Sequence, residues 1–178
     1  MALTKLNFTG QPTLPSANMP TGSIIKTQKT DYTSTSGFSS AGDLTMSSPL
    51  DGTLSFTSVG ANTTIFVEAH FSPIASVSTY VSHLIRLHYS TNGSGGSYTR
   101  FATGSQSAYN NQANFGATNV SVKGFISNSS ANTTYNFKCI VDGFHNGHNF
   151  RPNQYIDDGS TYETSQPSSF ILIQEIAG

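Results

Sequence analysis

The sequence predicts an all-β domain, an antiparallel β-sandwich of the jelly-roll kind, and three observations predict it. Short segments that alternate apolar and polar residues recur along the chain, separated by Gly, Pro, Asn and Ser turn signals. No stretch carries the helical period of an amphipathic helix. Asn, Ser, Thr and Gly dominate the polar positions, which suits strands and turns and supplies few helix formers. With 178 residues the chain is one domain's worth, long enough to bury a core. Roughly eight to ten short strands fit that length, and no internal repeat is visible.

Residues 1–22 stand apart from the rest. Pro12, Pro15 and Pro20 favour extended backbone and forbid a helix or an inner strand. Leu3, Leu6, Phe8 and Leu14 are the apolar anchors of this segment, which reads as an arm lying along another surface, against the plainer reading of a frayed terminus. The sandwich domain is expected over 23–178. Its first strand lies at 23–30, where Ile24 and Ile25 precede polar residues, and a Ser/Thr/Gly loop follows at 33–42.

Segments 43–48 and 53–59 alternate through Leu44 and Met46, then Leu54 and Phe56, with Pro49, Leu50, Asp51 and Gly52 as the turn between them. In 63–71, Ile65, Val67, Ala69 and Phe71 share one face, and Phe66, Glu68 and His70 the other. Segment 81–89 turns Val81, His83, Ile85, Leu87 and Tyr89 one way, which leaves Arg86 and His88 together on the opposite face. The run 92–97, Asn-Gly-Ser-Gly-Gly-Ser, is a hairpin tip before a short strand at 98–103. The polar stretch 104–116 shows no period, with Tyr109 and Phe115 as anchors. Strands follow at 117–127 (Val120, Val122, Ile126) and, after a turn at 128–132, at 133–141, where Tyr135, Phe137, Cys139 and Val141 share a face. Cys139 reads as a buried small hydrophobe.

The closing stretch organises the domain. Pro167 marks its entrance, and Phe170, Ile171, Leu172 and Ile173 are apolar at consecutive positions, so both faces of the strand need dry partners. It is expected to be a central strand whose second dry face is another subunit, with Phe170, Ile171, Leu172, Ile173, Gln174 and Ile176 at the oligomer interface. A core strand of a monomer is the plainer alternative.

Composition narrows the function classes. Charged residues make up 10% of the chain and the net charge is −1, so no broad basic surface serves nucleic acid. No window of about 18 apolar residues suggests a membrane span. A single cysteine excludes an intramolecular disulfide and a cysteine-based metal framework. The first ten residues lack the apolar run of a signal peptide, so the Asn-x-Ser/Thr triplets at Asn7, Asn62, Asn92, Asn119, Asn128 and Asn132 are expected to reflect composition, not glycosylation.

Candidate chemistry is sparse. His145 and His148 have a His-x-x-His spacing, with Asp142, Asp157 and Asp158 near in sequence; solvated or sugar-contacting histidines are favoured over a metal site, and no metal or cofactor is expected. Asp157, Asp158 and Gly159 are acidic and turn-like, short of a calcium loop's ligand set. Glu68 and His70 share a strand face and could pair as acid and base, though a polar surface or intersubunit face is the simpler reading. No nucleophile elbow, phosphate-binding loop or zinc-protease helix is found, so no enzyme is expected. The aperiodic segment 142–167 is the candidate ligand or receptor surface. It sets Phe144, Phe150, Tyr155 and Tyr162 beside His145, His148, Asn146, Asn149, Arg151, Asn153 and Gln154, a chemistry suited to sugar rings. Aromatics that seal the sandwich end or a subunit contact are the alternative.

Four stretches carry a resemblance. Pro20-Thr21-Gly22-Ser23-Ile24-Ile25, Asn132-Thr133-Thr134-Tyr135-Asn136-Phe137-Lys138, Asn149-Phe150-Arg151-Pro152 with Asp157-Asp158, and Ser168 to Ala177 are similar to motifs of small virion proteins and fibre-end domains of tailed bacteriophages, especially marine ones infecting cyanobacteria and related hosts. The likeness spans about residues 20–178, with Phe150 splitting an Asn-Arg pair and Gln174 where a Met is common. It implies a non-enzymatic jelly-roll domain, homotrimeric, on a virion surface and made in the host cytoplasm. Two placements stay open. One is a capsid decoration or cement protein held to other virion proteins by its arm. The other is a tail fibre or receptor-binding tip that contacts host surface glycans through 92–97 and 142–167.

Overall fold

Strand after strand, the computed structural model follows the alternation read above. It describes residues 19–33, 38–39, 43–45, 51–75, 80–109, 117–143, 149–157, 161–164 and 169–178. The described residues form strands and turns: β1 (Ile24–Asp31), β2 (Phe38–Ser39), β3 (Asp43–Thr45), β4 (Asp51–Thr57), β5 (Thr63–Ala75), β6 (Tyr80–Ser90), β7 (Thr99–Tyr109), β8 (Ala117–Ser129), β9 (Thr134–Gly143), β10 (Asn149–Pro152), β11 (Gln154–Asp157), β12 (Thr161–Thr164) and β13 (Phe170–Ile176).

One antiparallel sheet runs β1-β13-β5-β8, and the other runs β4-β9-β6-β7. β3 pairs with β9 beyond the stretch that β4 occupies, so β3 and β4 together make one interrupted strand. In the same way β10 continues the place of β13 along β5, and β2 that of β1. Numbered along the chain with β3 and β4 as one, the eight principal strands lie in the orders 1-8-3-6 and 2-7-4-5, which is the jelly-roll arrangement.

The inner faces meet in a single core. Ile65, Val67, Ala69 and Phe71 of β5, Val120, Val122 and Ile126 of β8, and Ile171 and Ile173 of β13 line one side. Leu54 and Phe56, Ile85 and Leu87, Ala102, and Tyr135, Phe137 and Cys139 line the other. The period of two sends every second side chain inward. A bulge between Leu87 and His88 brings Phe101 against this core as well as Ala102, and Phe101 meets Tyr89 edge-on at 5.7 Å between ring centroids. Burial pushes the Cys139 thiol pKa well above its ordinary value.

Where β7 and β8 close one side of the sandwich, side chains are missing by design. A Cβ at Gly124 would stand 2.5 Å from the Ala102 Cβ and 2.8 Å from the Phe101 ring, and one at Gly104 would stand 3.0 Å from the Val122 Cβ. Backbones can approach this closely only where one carries no side chain.

Three expectations need correction. β4 begins at Asp51, inside the turn expected at 49–52. β7 runs to Tyr109, through polar sequence that shows no alternation, because β6 pairs with it along its length from Tyr80–Tyr109 to Tyr89–Thr99. The stretch 142–167 is not one long loop: it holds the end of β9 together with β10, β11 and β12. The anchors Leu3, Leu6, Phe8 and Leu14 lie outside the described residues. The chain just after them is tied down, since Gly22 N–H donates to the Ala177 carbonyl at 2.9 Å and Ala177 N–H to that of Ser23 at 2.8 Å.

Candidate functional site: the outer face of the β1-β13-β5-β8 sheet

The alternation that fills the core also decides what this sheet presents outward. On β13, Ile171, Ile173 and Glu175 are buried while Phe170, Leu172, Gln174 and Ile176 are half-covered on the opposite face. Register extends that face in rows. Phe170 lies between Asp31 and His70, Leu172 between Lys29 and Glu68, and Gln174 between Thr27 and Phe66. Across β5, His70 is opposite Ser121, Glu68 opposite Lys123, and Phe66 opposite Phe125.

Phe125 is 59% exposed and its ring centroid is 5.2 Å from that of Phe66. Ile24, 51% exposed, is the register partner of Ile176 at one corner of the same face. Around these apolar groups the charges come in pairs: Lys29 to Asp31 at 2.8 Å and Lys123 to Glu68 at 3.2 Å. Lys29 Nζ also sits 5.3 Å from the centroid of Phe170, whose ring stacks on His70 at 5.2 Å. The face therefore mixes apolar side chains with both signs of charge, and its charged pairs sum to zero.

His70 Nδ1 lies 2.6 Å from Ser121 Oγ, the geometry of a serine and its base. A working triad also needs a carboxylate that orients the imidazole. Glu68 sits on the right face for that, but its carboxylate is engaged by Lys123. The acid–base pairing considered for Glu68 and His70 is thus not assembled. Among the described residues no three His, Cys, Asp or Glu gather as ligands for a metal.

The structure divides the residues expected at an oligomer interface. Phe170, Leu172, Gln174 and Ile176 remain on the outer face. Ile171 and Ile173 belong to the core of their own sandwich, because a strand's two faces alternate even where its sequence is apolar throughout. Of the proposed receptor surface, Phe144, His145 and His148 lie outside the described residues. Phe150 and Arg151 are in β10, opposite Phe38 and Ala75, and Tyr155 and Tyr162 are in the β11-β12 hairpin, opposite Glu163 and Ile156. Asn153, expected to offer its amide to a sugar, is fully buried with φ +58° and donates from Nδ2 to the Tyr32 carbonyl at 2.8 Å. Its polar group is spent inside the fold.

Sequence reasoning passed over Glu175. Its carboxylate is 0% exposed and accepts from Val59 N–H at 2.8 Å, Gly60 N–H at 2.8 Å and Thr63 Oγ1 at 2.9 Å. Ser129 completes the cluster through its contact with the Thr63 hydroxyl. Lys26, the cross-strand neighbour of Glu175, sends its amine to the Thr57 carbonyl at 2.6 Å. The signal was present: counting by twos from Ile171 and Ile173 places a carboxylate inside.

No protein-family model matches the chain, and no curated protein matches it. Among solved structures it is similar to Eiger TNF from S. frugiperda, with 13% identity and a TM-score of 0.38 over 68% of this chain. The match spans 60% of the length of that chain. The jelly-roll assignment rests on the strand order given above.

Proposed function

We propose that this protein is a non-enzymatic structural module that assembles with copies of itself, as a homotrimer on a virion surface, through the outer face of the β1-β13-β5-β8 sheet. The observation that carries the reading is the exposed Phe125 beside Phe66, in a face that also holds Leu172 and Ile176 and whose charges are internally paired. Large apolar side chains clustered on an exposed face mark association surfaces. A neutral face bearing both signs suits a second copy of itself better than a strongly charged partner. The virion placement rests on the resemblance of the four sequence stretches, with Leu3, Leu6, Phe8 and Leu14 as the anchors of a capsid decoration or cement role. A tail fibre or receptor-binding tip is the second reading, favoured by the exposed hairpin tip at Asn92, Gly93 and Ser94 between β6 and β7.

Mass in solution tests the assembly. Phe125→Asp should convert a trimer to monomers with the thermal midpoint of the dissociated chain unchanged. A wild-type chain that is monomeric at tens of micromolar overturns the proposal. A copy count on purified particles then separates the placements, since a number on the order of hundreds fits lattice decoration and about a dozen trimers fits a tail.

A further inference from the structure

We infer that the hairpin tip between β6 and β7 is a site of spontaneous covalent modification, at which Asn92 loses its amide to the backbone nitrogen of Gly93 and the tip gains a carboxylate. This stands apart from self-association, which uses the opposite sheet. The reaction asks for an asparagine side chain free to turn, a following N–H free to attack, and no side chain on the residue that carries that N–H. Asn92 and Gly93 meet all three conditions. Asn92 is exposed, and among the described residues its carboxamide makes no hydrogen bond; only its own N–H is held, by Ser90 Oγ at 3.2 Å. Gly93 is exposed at φ +82°, and a Cβ built there would meet nothing within 4 Å. Its carbonyl accepts from Gly96 N–H at 3.2 Å, while its own N–H makes no bond to a described residue.

The other exposed asparagines among the described residues are Asn62, Asn119 and Asn132. Each is followed by a β-branched residue, which crowds the nitrogen that would attack. Thr63 and Val120 are buried as well, and Thr133 N–H donates to Ser58 Oγ at 3.1 Å. The second Asn-Gly pair of the sequence, Asn146 and Gly147, lies outside the described residues.

The step balances without cofactor or oxidant. The Gly93 nitrogen bonds to Asn92 Cγ, closing a five-membered imide, and the Cγ–Nδ2 bond breaks. Nδ2 leaves as ammonia, taking the proton from Gly93. Water then opens the imide at either of its two C–N bonds. Opening at Cγ leaves an ordinary aspartyl residue. Opening at the backbone carbonyl leaves an isoaspartyl one, whose chain runs through Cβ and Cγ. Either product puts a negative charge on a stretch, 90–99, that has no charged residue. The second also adds a methylene to the backbone beside Gly93 and so displaces the turn that Gly96 N–H closes. The tip on which the receptor-contact reading rests therefore changes charge and shape as the molecule ages.

Peptide mapping of the full chain, held at pH 8 and 37 °C, is the test. Trypsin cuts after Arg86 and Arg100, and the peptide 87–100 holds Asn92 as its only side-chain amide. The peptide 30–86 holds Asn62 alone and serves as internal comparison. Peptide 87–100 should gain the mass of about 1 Da that exchange of NH2 for OH brings, and split into two isomers, about tenfold or more faster than 30–86. The rate should rise with pH, because the attacking nitrogen must give up its proton. Unfolding the chain in urea should change that rate by less than about threefold, since an exposed tip needs no opening first. Asn92→Gln should abolish the conversion, because a side chain one methylene longer cannot close the five-membered ring. The inference fails if peptide 87–100 keeps its mass after weeks of incubation, if 30–86 converts as fast, if urea speeds the conversion beyond that limit, or if the Asn92→Gln peptide gains the mass too.

Discussion

Replacing Glu175 by Ala removes the acceptor on which the turn between β4 and β5 depends. Two backbone N–H groups and one hydroxyl, all within 2.9 Å of the carboxylate, lose their partner together. A hydrogen bond to a charged group contributes about 1.5–3 kcal/mol, and a buried donor left unmade costs about 1–3 kcal/mol. Water can reach part of the site, because Val59 beside it is exposed. Taking the low end for three donors gives a loss of about 4–5 kcal/mol, a large share of the roughly 5–15 kcal/mol that holds a domain together. For a chain of this size that is a fall of about 8–20 °C in melting temperature. Urea unfolding followed by far-UV circular dichroism measures it, with tyrosine fluorescence as second probe since the chain has no Trp. A loss below about 1 kcal/mol would refute the reasoning, because it would mean that solvent already serves these donors.

Two further outcomes follow from the core. Gly124→Ala places a methyl 2.5 Å from the Ala102 Cβ, so β7 and β8 must part, at a cost of about 1–3 kcal/mol in the same unfolding assay. The double change with Ala102→Gly should recover part of that loss. Because burial raises the Cys139 thiol pKa, its contribution to stability is fully present below the unfolded thiol's pKa of about 8.5 and is lost as pH rises above it, by up to about 1.4 kcal/mol per pH unit. Cys139→Ala should remove that part of the alkaline slope, and an unchanged slope between pH 8 and 10 would show the thiol to be accessible.

Legibility in the sequence tracked how each strand makes its contacts. β5 could be read residue by residue, since one face is core and the other half-covered: Ile65, Val67, Ala69 and Phe71 went inward as expected. The central position of β13 was legible from four apolar residues in a row, and the structure places it between β1 and β5. β7 beyond residue 103 was not legible. Its partner β6 holds it by backbone hydrogen bonds, which leave no mark on Ser105, Gln106 and Ser107. The short strands β10 to β12 escaped for the same reason. The alternation of β13 points Glu175 inward, but the donors that make its burial possible, at Val59, Gly60 and Thr63, are distant in sequence and leave no mark near it.

The location of β13 between β1 and β5 has a consequence for biosynthesis. Among the described strands a ribosome delivers β1 first and Phe170–Ile176 last, yet those seven residues are what joins β1 to the rest of its sheet. Until they leave the exit tunnel, the edge of β5 that β13 covers stands open and β1 has no neighbour in its sheet. Such an intermediate invites strand pairing between neighbouring polysomes. The closing step joins partners from opposite ends of the chain, a long-range search of the kind that slows β folds.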